Sequence, residues 1–66
     1  MHILLNDVPH ACDARLTVAA FLDQQQLLAP AVALALNHQI LPRSRWEEQI
    51  LEEGDHLLLF QVIAGG

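Results

Sequence analysis

The sequence predicts an α+β fold in which one helix packs on one face of a mixed β-sheet, with elements in the order β-β-α-β-β-β. Three patterns lead to this prediction. Short aliphatic runs alternate with clusters of turn-forming residues, one stretch behind a threonine has helical apolar spacing, and one run alternates strictly between two faces. The 66 residues allow one small domain and exclude a second.

The first two strands are predicted to form a hairpin. Residues 2–5 (HILL) are aliphatic and run into the turn-forming cluster 6–9 (NDVP). We expect the second strand at about residues 10–13, pairing back on the first.

The helix is predicted to begin after Thr17, whose hydroxyl can accept a hydrogen bond from a free amide of the first turn. It must end before Pro30, because the proline ring disfavours the helical conformation at the preceding residue. The three glutamines at 24–26 would form its solvated face. Its apolar positions, expected to face the core, are Val18, Phe21, Leu22 and Leu28.

Three further strands are predicted in the second half. Residues 31–36 alternate strictly, which is typical of a strand, and Asn37-His38 can form a tight turn into a short return strand over 39–41. Residues 43–51 are a polar connection. The turn 52–55 then leads into a last strand over 56–63, which is apolar on both faces, as expected of a central strand.

The right-handed crossover rule places the first and last strands side by side in the middle of the sheet. One sheet face is then covered by the helix and the other stays open. In the expected register, the residues of these two strands that face the helix are Ile3, Leu5, Leu57 and Leu59. The open face carries an apolar patch, which typically marks an interaction site, formed by Leu4, Leu58 and Phe60.

Charge and composition exclude several classes of function. Eight acidic residues against three arginines and no lysine give a net charge of −5, whereas a nucleic acid is bound by clustered cations. We therefore expect no nucleic acid partner, and an acidic surface favours a basic one. No run approaches the roughly 20 apolar residues that a membrane span needs. With Cys12 as its single cysteine, the chain is expected to be soluble and cytoplasmic.

The candidate catalytic groups do not form a convincing site. Cys12 and His10 would share a strand face, but nothing orients the imidazole, and a packing role for the thiol is favoured. The acidic pairs at 47–48 and 52–53 flank a glycine turn, where we expect their carboxylates to be solvent-exposed and without a catalytic role. We therefore predict no catalytic residue. We also predict no metal site, because no paired-ligand spacing links His2, His10, His38 and His56.

Arg43 and Arg45 flank Ser44 beside Trp46. Arginine and tryptophan are enriched in interface hot spots, so this segment could be a docking element. Equally, Trp46 could pack against the core with the arginines in solvent, and the sequence does not decide between the two interpretations.

The clearest functional feature is the C-terminal Ala64-Gly65-Gly66. Glycines lack Cβ atoms and can thread a narrow enzyme channel that a branched side chain would block, although a diglycine end can also be a frayed terminus without a function. It directly follows the most apolar strand. We therefore expect a domain over 1–63 that presents a flexible tail, 64–66, on a firm base.

Taken together, these features resemble the family of sulfur carriers in thiamine biosynthesis, which are ubiquitin-like β-grasp proteins. The resemblance spans the whole chain. It lies in residues 1–6, 17–18, 32–37 and 41–44, in Trp46, in Gly54-Asp55 and in the diglycine end. Asp7 departs from it, since many relatives would have glycine there. The diglycine would also suit the small subunit of molybdopterin synthase or another ubiquitin-like module, whereas residues 37–44 and the compact length favour the thiamine branch.

The resemblance implies a cycle at Gly66. An E1-like adenylyltransferase consumes ATP and adenylates the Gly66 carboxylate, sulfur from a cysteine desulfurase-dependent donor replaces AMP, and thiazole synthase accepts sulfur from the resulting thiocarboxylate. In this cycle Ala64, Gly65 and Gly66 thread the partner active sites. The chain itself would be a monomeric carrier without a bound cofactor, not an enzyme, and its open sheet face would meet the activating enzyme.

Two alternatives come from other classes. One is a subunit whose diglycine tail stays inserted in a partner, as in molybdopterin synthase. The other is a small thiol or metal enzyme that uses Cys12 and the histidines.

Overall fold

The computed structural model describes residues 1–61. Its elements are β1 (His2–Leu5), β2 (Val8–Ala11), α1 (Val18–Gln24), β3 (Val32–Leu36), β4 (Gln39–Ile40), a 3-10 turn (Arg43–Arg45) and β5 (His56–Gln61). The predicted order of strands and helix is confirmed. The five strands form one sheet in the order β2-β1-β5-β3-β4, and β1 runs parallel to β5 at its centre, as the crossover rule predicts.

The core lies between α1 and one face of the sheet. The helix contributes Val18, Phe21 and Leu22, all fully buried. Alternate residues of the central strands meet them, as the predicted faces require: Ile3, Leu5, Leu34 and Leu57, with Leu59 partly buried beside them. The open sheet face therefore lies opposite the helix.

The first hairpin turns earlier than predicted. The second strand is Val8–Ala11, so its expected position at residues 10–13 was wrong by two residues. Asn6 and Asp7 both have positive φ, 50° and 68°, and make a two-residue turn by themselves. Pro9 is accommodated because β2 is an edge strand and Pro9 stands opposite Leu4, where no ladder hydrogen bond is needed.

The second tight turn is confirmed at Asn37-His38, where φ is 50° and 71°. The return strand predicted over 39–41 is observed as Gln39–Ile40, and the amide of Leu41 still donates to the carbonyl of Leu34 at 2.9 Å. The last strand is described as far as Gln61. Residues 62 and 63 of its predicted range lie outside the described residues.

The start of α1 confirms Thr17 as its N-cap. The Thr17 hydroxyl accepts from the amide of Ala20 at 3.1 Å, and the two preceding helical amides donate to carbonyls of the connection before β5, Val18 to Gln49 and Ala19 to Trp46. The connection 43–51, predicted only as a polar loop, thus completes the first turn of the helix.

The helix ends earlier than predicted. It stops at Gln24, because Gln26 adopts a left-handed conformation with φ of 60° and its amide donates to the carbonyl of Asp23. The amide of Leu27 donates back to the carbonyl of Leu22 at 2.8 Å, which completes a Schellman motif. Leu28 consequently lies beyond the helix and is 43% exposed, so its predicted core position was wrong.

This helix end predicts opposite effects for two neighbouring glutamines. Gln26→Gly should raise the free energy of unfolding by about 1 kcal/mol, since glycine adopts a left-handed conformation without the steric cost of a Cβ atom. The matched variant Gln25→Gly should lower the free energy of unfolding by about 0.5–1 kcal/mol. Gln25 has φ of −85°, in the right-handed helical region, where glycine gains no steric relief and loses more conformational entropy on folding. Urea unfolding followed by the fluorescence of Trp46 measures both; equal effects in the two variants would contradict the motif.

Candidate functional site

The described part of the candidate site is the end of β5, from which the chain continues to the C terminus. The predicted site residues Ala64, Gly65 and Gly66, and the whole predicted tail 64–66, lie outside the described residues. Gln61, the last described residue, stands opposite Val32 of β3. On the other side of β5, strand β1 already ends at Leu5, which is opposite Leu57.

The side chain of Asn6 continues the sheet where β1 stops. Its Oδ1 accepts from the amide of Leu59 at 2.9 Å, and its Nδ2 donates to the carbonyl of the same residue at 3.3 Å. The backbone amide of Asn6 donates to the carbonyl of Leu57. One carboxamide therefore occupies the place of a further strand residue and holds β5 two residues beyond the last β1–β5 pair. We name this pair of side-chain bonds the Asn6 clamp.

Asn37 holds the beginning of β5 in a similar way from the other side. Its Oδ1 accepts from the amide of His56 at 2.9 Å, and its backbone amide donates to the carbonyl of His56 at 2.8 Å. Its Nδ2 donates to the carboxylate of Asp55 at 3.0 Å. The two asparagines begin the two tight turns and bind opposite ends of the same strand.

An open groove of about 300 Å³ lies beside the end of β5, between residues 59–61 and the segment after the helix. On that second side it is lined by Gln26, Leu27 and Ala29, and Val32 at the start of β3 completes the lining. The lining is mostly aliphatic with amide groups and contains no charged residue. A partner that approaches the end of β5 therefore meets an apolar, uncharged surface.

The predicted patch residues lie together on the open sheet face. Phe60 is 44% exposed, and Leu4 and Leu58 are half-buried. Leu58 and Phe60 stand opposite two alanines of β3, which leave the surface low and flat between larger side chains. One further member of this surface, Ile40, was not predicted from the sequence; it is 67% exposed on the edge strand β4. Its position opposite Ala35, on the same face as Leu58, could have identified it.

A polar group borders this patch at the beginning of β5. Nε2 of His56 lies 2.8 Å from Oδ1 of Asp7, and the rings of His56 and His38 are 5.9 Å apart. His56 stands opposite Leu4 on the open face. The apolar surface thus continues toward the end of β5 and becomes polar toward its start.

Trp46 belongs to the core, which decides between the two interpretations of its segment. It is 2% exposed, and its Nε1 donates to the carbonyl of Leu41 at 2.9 Å. The guanidinium of Arg43 lies over the indole at 4.7 Å from the ring centroid, and both arginines are exposed. Trp46 is therefore not available as a docking anchor.

The residues considered for thiol or metal chemistry do not come together. The His10 ring packs edge-on against Phe21, and Cys12 is half-buried at the edge of the core. Burial raises the pKa of the Cys12 thiol, which keeps it in the unreactive protonated form. Within residues 1–61 no three His, Cys, Asp or Glu side chains are arranged to hold a metal ion. The same residues contain no helix long and apolar enough to cross a bilayer.

Comparison with known proteins gives consistent matches over all or nearly all of the chain. The model of the ThiS family matches residues 3–66. The sulfur carrier protein ThiS of Escherichia coli (strain K12) is 48% identical over 66 residues, covering 100% of both chains.

Two solved structures share the fold. The crystal structure of a thiamine biosynthesis protein (ThiS) from Geobacter metallireducens has a TM-score of 0.89, 25% identity and full coverage of both chains. A solution structure of a thiamine biosynthesis protein from the same organism has a TM-score of 0.75 and 26% identity, covering all of this chain and 88% of the other. The expected ubiquitin-like β-grasp fold is confirmed.

Cys12 is expected to react slowly with iodoacetamide in the folded protein at pH 8. Its ordinary pKa of 9.0 is raised by burial, so the folded chain holds less thiolate than the unfolded chain at the same pH. By the same linkage, the contribution of Cys12 to stability is present below pH 9 and is lost as the pH rises through the higher folded pKa. Alkylation rates with and without urea test this; a faster reaction in the folded protein would indicate an activated thiol instead.

Proposed function

Because the chain belongs to the ThiS family, we propose that it is a sulfur carrier in thiamine biosynthesis and that its C-terminal Gly66 carries the sulfur as a thiocarboxylate. The observation that supports this most directly is the full-length match to a sulfur carrier at 48% identity, with no part of either chain left over. The matched relatives favour the expected thiamine branch over the alternative of a molybdopterin-synthase small subunit.

The chemistry at Gly66 needs activation, because a carboxylate is a poor electrophile whose negative charge repels nucleophiles. An E1-like adenylyltransferase joins the carboxylate to AMP from ATP and releases pyrophosphate. The outer sulfur of a persulfide, formed with a cysteine desulfurase, then attacks the acyl adenylate and displaces AMP to give an acyl disulfide. A second thiol reduces this disulfide and releases the thiocarboxylate, so the terminal group has lost one oxygen and gained one sulfur. The thiocarboxylate is ionised at neutral pH and attacks an electrophilic carbon of the molecule that thiazole synthase holds.

The chain presents the Gly66 carboxylate, and its partner enzymes catalyse the reactions at that group. Five residues follow Gln61, and at about 3.3 Å per residue they span at most roughly 17 Å. An enzyme that acts on Gly66 must therefore bring its active-site entrance close to the end of β5. Gly65 and Gly66 present no side chain that a narrow entrance would exclude, and Ala64 only a methyl group. ATP is consumed by the activating partner, and the carrier itself needs no cofactor.

The open face is the surface on which we place the activating enzyme. Leu4, Leu58 and Phe60, with Ile40 beside them, form an apolar area that extends toward the end of β5. The net charge of −5 favours approach to a basic surface. A monomeric carrier leaves this face free for one partner at a time, and the reducing cytoplasm suits its free thiol and its sulfur cargo.

Intact-mass spectrometry tests the proposed function. Incubation with ATP, a sulfur source and the cognate activating enzyme should add the mass difference of one oxygen replaced by one sulfur, with the change located on Gly66. Omission of ATP should abolish the gain, and so should deletion of Gly66, which leaves residues 1–61 intact. An unchanged mass of the full-length chain under complete conditions would contradict the proposal.

Phe60→Asp should lower kcat/KM for activation by at least about tenfold, because docking would bury an unpaired carboxylate in an apolar interface. The matched control is Ile50→Asp. Ile50 is similarly exposed, at 48%, but lies beside Thr17 at the start of the helix, away from the open face. The control should be activated at nearly the wild-type rate, and urea unfolding checks that both variants fold. Equal losses in the two variants would contradict docking on the open face.

A further inference from the structure

Asn6 does more than form a turn. A tight hairpin turn needs only a residue that accepts positive φ at this position, and glycine would satisfy that requirement. The carboxamide adds two hydrogen bonds to Leu59, in the last described strand before the C terminus. These bonds span 53 residues in sequence and connect the first turn of the chain to the segment that leads to Gly66.

The location of the Asn6 clamp matters because β1 is shorter than β5. Backbone groups of alternate β5 residues point to opposite neighbours, with Leu57 and Leu59 facing β1 and His56 facing β3. Strand β1 ends opposite Leu57. Without the carboxamide, the amide and the carbonyl of Leu59 would lose the hydrogen bonds that they make on that side. Among residues 1–61, β3 would then be the one strand that pairs with the end of β5.

We propose that Asn6 is a positioning residue for the sulfur-carrier reaction, which extends the sheet to Leu59 and thereby sets the direction in which the chain leaves β5 toward Gly66. The inference rests on the proposed function. Each β5 residue that detaches from the sheet in the free carrier gains conformational entropy. That entropy is lost when the activating enzyme binds the terminal glycine in its active site, and the loss weakens binding. Asn6 acts through the backbone of Leu59 and does not touch the reacting carboxylate.

The chain supplies its own control in Asn37. Both asparagines have φ of 50° at the first position of a two-residue turn, and both are exposed. Each bonds the backbone of β5 through its side chain, Asn6 at Leu59 and Asn37 at His56. Replacement by glycine preserves either turn and removes only the side-chain bonds. The two variants therefore differ mainly in which end of β5 they release.

Steady-state kinetics of activation with the full-length carrier, ATP and the activating enzyme measure the effect. In Asn6→Gly, KM for the carrier should rise by about fivefold, the factor that one ordinary hydrogen bond supplies, while kcat stays unchanged because the engaged tail is the same. Asn37→Gly should stay within about twofold of wild type. Asn6→Asp should recover part of the loss, since its carboxylate still accepts from the amide of Leu59. Hydrogen exchange of that amide should accelerate in Asn6→Gly and not in Asn37→Gly.

Three results would overturn the inference. Equal rises in KM for the two glycine variants would reduce Asn6 to a general stabilising role. An unchanged KM in Asn6→Gly, despite faster exchange at Leu59, would show that the direction of the chain does not limit activation. A wild-type carrier that gains no sulfur would overturn the proposed function itself and the inference with it, while the exchange data would still report whether the Asn6 clamp exists.

Discussion

The whole arrangement depends on the pairing of β5 with a strand on each side. The last strand of the chain runs parallel to the first and antiparallel to β3, so the segment that leads to the C terminus lies in the middle of the sheet. Leu57, at the centre of this pairing, is completely buried. Two tight turns supply the remaining bonds, because Asn6 and Asn37 each pair with β5 through backbone and side chain. A terminus attached to an edge strand would lack a second supporting neighbour.

This constraint separates the molecule into surfaces with different roles. Helix α1 covers one face of the sheet and forms the core, which leaves the opposite face to Leu4, Leu58, Phe60 and Ile40. Both the open face and the uncharged groove reach the end of β5. Because the five residues after Gln61 span at most roughly 17 Å, a partner that acts on Gly66, as proposed, must dock near the end of β5.

Much of the fold could be predicted because its rules are local. Alternation in β3, the threonine before α1 and the turn at Asn37-His38 are all read from short windows of sequence. The errors have local causes as well. Gln26 ends the helix by adopting a left-handed conformation that glutamine rarely takes, and Asn6-Asp7 completes a turn that Pro9 was expected to share. Nothing in the sequence pattern distinguished these conformations from their commoner alternatives.

The candidate site was predictable only in part, since its contacts are long-range. The strand alternation placed Leu4, Leu58 and Phe60 on one face, but Ile40 joined them only once the β3–β4 register was known. The burial of Trp46 depends on the carbonyl of Leu41 and on packing with the helix, neither of which a linear pattern contains. The bonds of Asn6 to Leu59 also connect distant parts of the chain.

Residue-resolved hydrogen exchange of the wild-type protein tests most directly whether the strand that leads to the terminus is the best-held element of the fold. The result expected from this pairing is that the amides of Leu57 and Leu58 exchange only through global unfolding, with a free energy equal to that from urea denaturation, whereas β2 and β4 open at lower cost. Exchange of those two β5 amides through a local opening, as easily as in the edge strands, would contradict it.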